Sequence, residues 1–275
     1  MTAYTERDVE DFFDQTLQHY LGFWDSSGVL HTGVFAGEDD TDYHAAADRT
    51  SAMIADAAGI DGSSSVLDVG CGCGNFVAYL ADRTGCRAEG VDLSEERVRF
   101  ASQQFAGVSF RHGSATALPY EPGTFSHVVS QDALFLIPDK PRSHAEIWRV
   151  LRPGGVFAFS DFLQPATEIG ELARKHVYDR VRWSGGYSLD GYQDALRAAG
   201  FEIASVRDLN GHIRQTYRVL RQTAQDRAAA TSDGAASDGA ARDWMLAFAE
   251  SCEQIQAAID RGEFGWGMFV ARKPA

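Results

Sequence analysis

The stretch Ser65–Phe76, with the sequence SVLDVGCGCGNF, carries the clearest structural signal in this chain of 275 residues. Its first five residues are mostly apolar and β-branched and predict a buried strand. The alternating glycines that follow allow positive φ angles and a close approach of the backbone to a ligand. Apolar residues at helical spacing resume after Asn75, so the turn leads into a helix N-terminus, whose free N–H groups attract anions. The stretch therefore predicts a strand, a ligand-binding turn and a helix.

The spacing of this turn differs from that of dinucleotide-binding turns, which carry Gly-x-Gly-x-x-Gly. Here Gly74 comes one residue early, and Asn75 stands where the dinucleotide pattern has glycine. Asp68, two residues before the first glycine, would repel a pyrophosphate but attract an ammonium group. A ligand with an adenosine, an ammonium group and no phosphate fits this turn. S-adenosylmethionine (SAM) is such a ligand.

A second strand is predicted over 87–92, and it ends in a carboxylate at Asp92. This position is about 20 residues past the turn, where an acid can accept both hydroxyls of a ribose. Ser94, followed by Glu95 and Glu96, is typical of a helix start. The alternative interpretation of Asp92 is a solvated strand end.

From about Ser65 to Phe162 the chain resembles the class I SAM-dependent methyltransferases. Val66–Gly74 matches their first motif, Gly90–Ser94 their ribose-binding motif, and Gly113–Pro119 their adenine-side loop. The family usually has an acid at the position of Ser114, and a hydroxyl can accept from the adenine amino group only more weakly. His31–Gly33 is similar to the segment that closes over the methionine carboxylate in related enzymes. The cofactor-binding residues implied by the resemblance are Thr32, Asp68, Gly70, Cys71, Gly72, Gly74, Asn75, Asp92, Leu93, Arg97, Ser114, Ala115 and Gln131.

The alternation of strands and helices predicts an α/β fold, a Rossmann-like doubly wound sheet with mostly parallel strands. Strands are predicted near 65–69, 87–92, 107–111, 125–131, 155–161, 201–207 and 265–272. The family resemblance implies seven strands, the last antiparallel. Helices are predicted at 7–24 and 42–59. We expect residues 1–60 to form an N-terminal helical cap and 61–275 the SAM-binding methyltransferase domain. Lid insertions are expected near 163–190 and 210–263, with a low-complexity loop at Thr231–Ala240.

The segment Ser130–Leu134 follows the fourth predicted strand, where a methyl group would face its acceptor. The Asp132 carboxylate could orient an amine, accept a proton or stabilise positive charge on the acceptor. Alternatively, it caps the helix beyond Pro138. The segment resembles that of sarcosine/dimethylglycine N-methyltransferases, whereas 84–91 is equally similar to prenyl diphosphate C-methyltransferases. The resemblance thus leaves N and C open as acceptor atoms, with N-methylation preferred narrowly.

Charge and aromatic residues give further hints about the acceptor. Residues 172–221 contain nine Lys or Arg and five acids, a local excess of four within a chain of net charge −14. Arginines suit a carboxylate or phosphate, which predicts an anionic or zwitterionic acceptor. A solvated helix face is the alternative. Tyr20 and Trp183 are candidates for shielding a cation, and His31 for a base.

The amino-acid composition narrows the classes of binding partner that this chain can have. The net charge of −14 argues against nucleic acid or an anionic membrane as the main partner, so we expect a small-molecule acceptor. The sequence has no apolar stretch of membrane length, its first residues are unlike a signal peptide, and a cytoplasmic protein is expected. The four cysteines form no metal-binding pattern. The oligomeric state stays open, with a homodimer as one option. Two rival classes remain, an NAD-dependent oxidoreductase and a non-catalytic SAM-binding scaffold or sensor.

Overall fold

The structure is a computed structural model that describes residues 3–23, 26–29, 31–230 and 236–275. Within these ranges seven strands belong to one sheet. They are β1 (Ser65–Val69), β2 (Arg87–Asp92), β3 (Ser109–His112), β4 (Phe125–Gln131), β5 (Leu151–Leu163), β6 (Glu202–Asp208) and β7 (Gly265–Arg272). Their order across the sheet is β3-β2-β1-β4-β5-β7-β6.

The described helices alternate with these strands and flank the sheet. They are α1 (Glu6–Phe23), α2 (Tyr43–Ala58), α3 (Asn75–Thr84), α4 (Glu95–Gln104), α5 (Lys140–Val150), α6 (Glu171–Ala173), α7 (Leu189–Ala198), α8 (Asn210–Ala230) and α9 (Ala236–Asp260). A π-helical turn, Arg174–Tyr178, and a 3-10 turn, Asp179–Val181, extend α6. Another 3-10 turn, Leu134–Leu136, follows β4.

The sheet has the predicted α/β architecture. β1 to β5 pair in parallel, whereas β7 is antiparallel to both β5 and β6. This confirms the Rossmann-like sheet of seven strands with an antiparallel last strand. β1 lies between β2 and β4, so the strand order reverses beside it. Ligands of such sheets bind at the carboxyl ends of the strands at this reversal, which directs attention to the turn after β1.

Most predicted boundaries lie within two residues of the observed ones, and two differ more. β5 begins at Leu151 rather than near 155, because Leu151 pairs with Phe125 before the register shifts past Pro153. The loop predicted at Thr231–Ala240 falls partly on residues 231–235, which lie outside the described residues. Over 236–240 the prediction is wrong, since α9 begins at Ala236. Alanine has the highest helix propensity, and three alanines stand in 236–241.

Candidate cofactor and acceptor site

A cavity of about 200 Å³ opens at the carboxyl ends of β1, β2 and β4. Its floor is the turn after β1, and its sides are the segments that follow β2, β3 and β4. Helix α1 covers one end through Glu6, Glu10 and Phe13. The other end is bounded by Arg180 from the extension of α6 and Tyr217 from α8. The cavity thus lies where the strand order reverses.

The turn after β1 needs its glycines for two different reasons. Gly70 has a φ of 75°, and a Cβ there would lie 2.4 Å from the Cβ of Ala133. Its place against the segment after β4 therefore excludes a side chain. Gly74 has a φ of 87°, and its Cβ would lie 2.8 Å from the Cβ of Ala101 in α4. Gly74 does not line the cavity but allows α3 to start close against its neighbours, whereas Gly70, Cys71, Gly72 and Asn75 do line it.

Asp68 and Gln131 present unsatisfied polar atoms to the cavity from the neighbouring strands β1 and β4. Asp68 is 2% exposed, and its Oδ1 has no hydrogen-bond partner among the described residues. The same is true of Nε2 of the buried Gln131. Burial raises the pKa of Asp68 well above 3.8, and the Asp92 carboxylate adds to this shift. Buried polar groups are normally paired, so a free acceptor beside a free donor fits the ammonium and carboxylate of an amino acid.

Asp92 is built into the cavity wall by the turn itself. Its Oδ2 accepts from the N–H of Gly72 at 2.8 Å, and its Oδ1 accepts from the N–H of Ser94 at 2.8 Å. The residue is partly buried and lines the cavity, which argues against a solvated strand end. A carboxylate can accept about four hydrogen bonds, so capacity for ribose hydroxyls remains. Leu93, Arg97, Ser114 and Ala115 also line the cavity on this side.

Three acids of α1 attach this helix to the far side of the cavity. Glu6 Oε1 accepts from the hydroxyls of Ser114 at 2.8 Å and Thr116 at 2.9 Å. Asp14 accepts from the hydroxyl of Ser94, and Glu10 lies 3.5 Å from Nε2 of His112. The sequence predictions missed this contribution of α1. The signal was an acid at every fourth position, which places all three on one helix face.

Asp132 lies at the cavity wall, but its carboxylate is hydrogen-bonded to the protein. Oδ1 accepts from the hydroxyl of Ser160 and from Nε1 of Trp266, both at 2.7 Å, and Oδ2 accepts from the N–H of Thr32 at 2.8 Å. Burial raises its pKa, and these hydrogen bonds oppose the shift. The residue has a left-handed backbone with a φ of 53°. The carboxylate therefore connects the N-terminal loop to β5 and β7.

These positions bear on several of the sequence interpretations. Asp132 does not cap the following helix, because Asp139 caps α5 by accepting from the N–H of Arg142 at 3.0 Å. Thr32 is buried against Asp132 and does not reach the cavity wall. Trp183 is 1% exposed, stacks on Tyr178 at 4.4 Å between ring centroids, and does not line the cavity either. Tyr20 and His31 do line the cavity.

Of the nine Lys and Arg residues in the segment 172–221, one, Arg180, lines the cavity. Several of its other arginines form ion pairs on exposed surfaces, including Arg197 with Asp194, Arg214 with Asp260 and Arg221 with Glu253. Arg180 is partly buried and has no carboxylate within ion-pair distance in the described part of the chain. Its Nε donates to the carbonyl of His176 at 3.0 Å. The solvated-face alternative thus fits these three arginines, but not Arg180.

A second cavity of about 300 Å³ adjoins the first between α1 and α9. Both cavities share Tyr20 and Arg180 as wall residues. Phe12, Trp244 and Phe248 supply its aromatic side, and the Arg180 guanidinium lies 6.0 Å from the ring centroid of Phe248. Arg180 and Tyr20 therefore stand between the inner cavity and an outer one.

Two other kinds of site are absent from the described residues. No helix there is both long and apolar enough to cross a membrane. No group of three or more His, Cys, Asp or Glu side chains in the same ranges is arranged to hold a metal ion.

Comparison with known proteins agrees with the methyltransferase fold. Residues 67–159 match the family model described as methyltransferase domain. The sarcosine/dimethylglycine N-methyltransferase of Halorhodospira halochloris is 28% identical over 98% of this chain and 94% of the relative.

Solved structures share the fold at lower identity. The crystal structure of the SpnF cyclase has a TM-score of 0.82 at 21% identity, covering 100% of this chain and 98% of the other. The geranyl diphosphate C-methyltransferase of Streptomyces coelicolor A3(2) has a TM-score of 0.76 at 16% identity, covering 99% and 100%. Because the sequence identities are low, these similarities show a shared fold and nothing further.

The sheet, the glycine turn and the methyltransferase domain together define a class I methyltransferase fold. The resemblance drawn from the sequence is confirmed: the chain is a SAM-dependent methyltransferase, and its cofactor is SAM. This outcome favours the methyltransferase over both rival classes, the NAD-dependent oxidoreductase and the SAM-binding sensor.

Proposed function

We propose that the protein transfers a methyl group from SAM to a small anionic or zwitterionic molecule, with an amine nitrogen as the narrowly preferred acceptor. The observation that carries this proposal is Arg180, a guanidinium on the cavity wall without an acidic partner among the described residues. A partly desolvated cation of this kind favours an anionic ligand, and the planar fork suits a carboxylate or phosphate. The acceptor's negative group would bind there.

The groups around Arg180 suit an amine next to that negative group. Tyr20 and Tyr217 lie on the same part of the wall. Burial raises the pKa of Tyr217, so its phenol stays neutral and keeps its proton. Neutral aromatic rings attract a methylated ammonium by cation–π interaction without adding a competing charge. These side chains would stabilise the positive charge that an amine gains on methylation.

On the cofactor side, bound SAM supplies a methyl group on a sulfonium, and the protein supplies alignment. We propose that Asp68 and Gln131 hold the amino acid part, Asp92 the ribose, and Ser114 with Ala115 the adenine edge. Gly70, Cys71, Gly72 and Asn75 would form the floor beneath the cofactor, with Leu93 and Arg97 beside the ribose. Since the Asp132 carboxylate is occupied, its proposed role is to fix the loop at His31–Thr32 over the acceptor.

We further propose that residues 1–60 act as a helical cap on the methyltransferase domain 61–275. Arg180 belongs to the insertion near 163–190 and Tyr217 to the insertion near 210–263. Both insertions thus contribute to the wall that would face the acceptor. The outer cavity beside Tyr20 and Arg180 is our proposed path by which the acceptor enters.

C-methylation of a prenyl diphosphate or another natural-product intermediate is the second candidate. The observation that favours it is the apolar wall formed by the segment Leu134–Pro138 together with Phe162 and Val181. The geranyl diphosphate C-methyltransferase of similar fold acts on an apolar acceptor with an anionic end. Arg180 would serve an anionic group in either case.

Methyl-labelled SAM and a panel of acceptors test the proposal. The panel comprises glycine, sarcosine, dimethylglycine, phosphoethanolamine and geranyl diphosphate with Mg²⁺. We expect transfer to a member carrying both an amine and an acid group. For that acceptor, Arg180→Met should raise KM at least about tenfold, the loss of one charge-assisted contact. Arg207→Met, an exposed arginine on β6, is the matched control and should leave KM unchanged.

Transfer to geranyl diphosphate alone would replace the first candidate by the second. An unchanged KM in Arg180→Met would contradict the proposal that Arg180 binds the negative group of the acceptor.

A further inference from the structure

Glu6 holds a fixed carboxylate at one end of the cavity. Its Oε1 accepts from two hydroxyls, Ser114 at 2.8 Å and Thr116 at 2.9 Å. Its Oε2 makes no hydrogen bond within the described residues, and the side chain is partly buried on the cavity wall. One oxygen thus anchors the side chain, and the other is available to a ligand.

The position of Glu6 along the cavity follows from the sheet. Ser114 and Thr116 come after β3, the strand at the sheet edge, whereas Asp132 comes after β4. A ligand that extends from Gln131 over the turn to Asp92 therefore reaches Glu6 with its far end. If the near end is an amino acid and the middle a ribose, the far end is the purine.

We propose that Glu6 accepts a hydrogen bond from the 6-amino group of the cofactor's adenine. The carboxylate of α1 would thereby supply the acid that this chain lacks at Ser114. An ionised carboxylate only accepts hydrogen bonds, so it pairs with the 6-amino group of adenine but opposes the 6-oxygen of hypoxanthine. The inference rests on SAM as the cofactor and assigns base selection to a residue of the N-terminal cap.

This arrangement also links the cap to the cofactor. Glu6 belongs to the first turn of α1, so its contact with the adenine requires that α1 lies against the segment after β3. A cofactor bound through Glu6 would hold α1 in place. The protein would then distinguish between bases only while α1 lies over the cavity.

The test compares two ligands that differ at one position of the base, S-adenosylhomocysteine and S-inosylhomocysteine. Their dissociation constants are measured by isothermal titration with the full chain and with two variants. Wild type should bind the adenosyl ligand at least about tenfold more tightly. In Glu6→Gln the ratio should fall to about threefold or less, because an amide can also donate. Asp11→Asn, at an exposed position of the same helix, should keep the wild-type ratio.

A relocation variant separates recognition of the base from attachment of α1. Glu6→Ser combined with Ser114→Asp moves the acid from α1 to the segment after β3 and should restore the preference for the adenosyl ligand. Equal weakening of both ligands in Glu6→Gln, with an unchanged ratio, would overturn the inference and leave Glu6 only a helix anchor. Failure of the wild type to bind S-adenosylhomocysteine would instead overturn the cofactor assignment itself.

Discussion

Asp68 combines two properties that rarely occur together, nearly complete burial and a carboxylate oxygen without a partner among the described residues. Such a group costs stability unless a ligand completes its hydrogen bonds. The raised pKa of Asp68 has the same physical cause, because burial disfavours the charged form of the carboxyl group. We propose that this residue favours SAM binding at the expense of folding stability.

Replacing Asp68 by Asn should affect binding and folding in opposite directions. The amide loses the charge that attracts the SAM ammonium, so we expect SAM affinity to fall about tenfold or more. Without ligand, the free energy of unfolding of the variant should be about 1–3 kcal/mol higher at neutral pH, because a buried carboxyl is replaced by a neutral group. Titration calorimetry and urea unfolding measure the two effects. Asp56→Asn, at an exposed position, is the control. A loss of stability in Asp68→Asn would contradict this account.

The pH dependence of SAM binding follows from the same residue. The raised pKa means that the ligand-free folded protein keeps a proton which the unfolded chain releases. The contribution of Asp68 to folding is therefore fully present below pH 3.8 and is lost as pH rises through the raised pKa. The SAM ammonium needs the ionised carboxylate, so affinity should rise with pH across that window, by about tenfold per unit at most. Asp68→Asn should lack this dependence in a calorimetric pH series.

Asp132 is expected to matter for structure as much as for turnover. Asp132→Ala leaves the hydroxyl of Ser160, Nε1 of Trp266 and the N–H of Thr32 without their acceptor. At about 1 kcal/mol for each, unfolding should require about 2–4 kcal/mol less free energy. Urea unfolding checks this, with the exposed Asp226→Ala as control. Reduced turnover with unchanged stability would instead indicate a direct role at the acceptor.

How far the sequence predicts individual residues depends on where each lies along the chain. Asp68, Asp92 and Gln131 stand at strand ends, and the motif places strand ends at one edge of the sheet. Thr32 and Trp183 do not line the cavity, which the sequence does not indicate because their positions depend on how distant loops pack. Glu6 and Tyr217 were not foreseen as cavity residues for the same reason, since helix periodicity does not say what a helix face covers.

At the scale of elements, the segment after β4 is held by buried polar groups behind the cavity. Lys140 Nζ donates to the carbonyls of Phe135 and Ile137 at 2.9 Å and of Gly185 at 3.2 Å. Asp161 accepts from the N–H of Phe135 at 3.1 Å and from the hydroxyl of Tyr192. Burial raises the pKa of Asp161 and lowers that of Lys140. The backbone of Phe135 is thus bound on both sides.

Lys140→Met should destabilise this segment, because three buried or partly buried carbonyls lose their donor. We expect a loss of about 2–4 kcal/mol in the free energy of unfolding. Urea unfolding measures it, with Lys175→Met, an exposed position in the π-helical turn, as the matched control. Equal free energies of unfolding for the two variants would show that water replaces the hydrogen bonds of Lys140 without loss of stability.

Strands were easier to predict than the insertions. Each strand is a short apolar run between turn residues, and the start of β1 and end of β4 agree with the sequence pattern. The insertions do not carry such a pattern. The helical segment from α6 to Val181 combines α-, π- and 3-10 geometry, and its position depends on contacts with α9. The sequence therefore indicates that insertions follow β5 and β6, but not which of their residues point toward the cavity.

For the whole molecule, the two ends of the cavity differ in origin. The end that we propose for the cofactor is formed by the strands and turns of the shared fold, where the sequence motifs lie. The end that we propose for the acceptor is formed by the proposed cap and insertions, through Tyr20, Arg180 and Tyr217. Proteins as different as an N-methyltransferase and a cyclase resemble this chain, so the fold is compatible with varied reactions. The acceptor must be identified from the lid residues and by assay.

Direct titration of SAM into the full chain, followed by calorimetry, is the measurement closest to the central claim. We predict one SAM per chain, binding at least about tenfold weaker in Asp92→Ala, and an intact fold in that variant by circular dichroism. NAD, titrated in parallel, should not bind. A wild-type chain that binds NAD in place of SAM, or an Asp92→Ala variant with unchanged SAM affinity, would contradict the site described above.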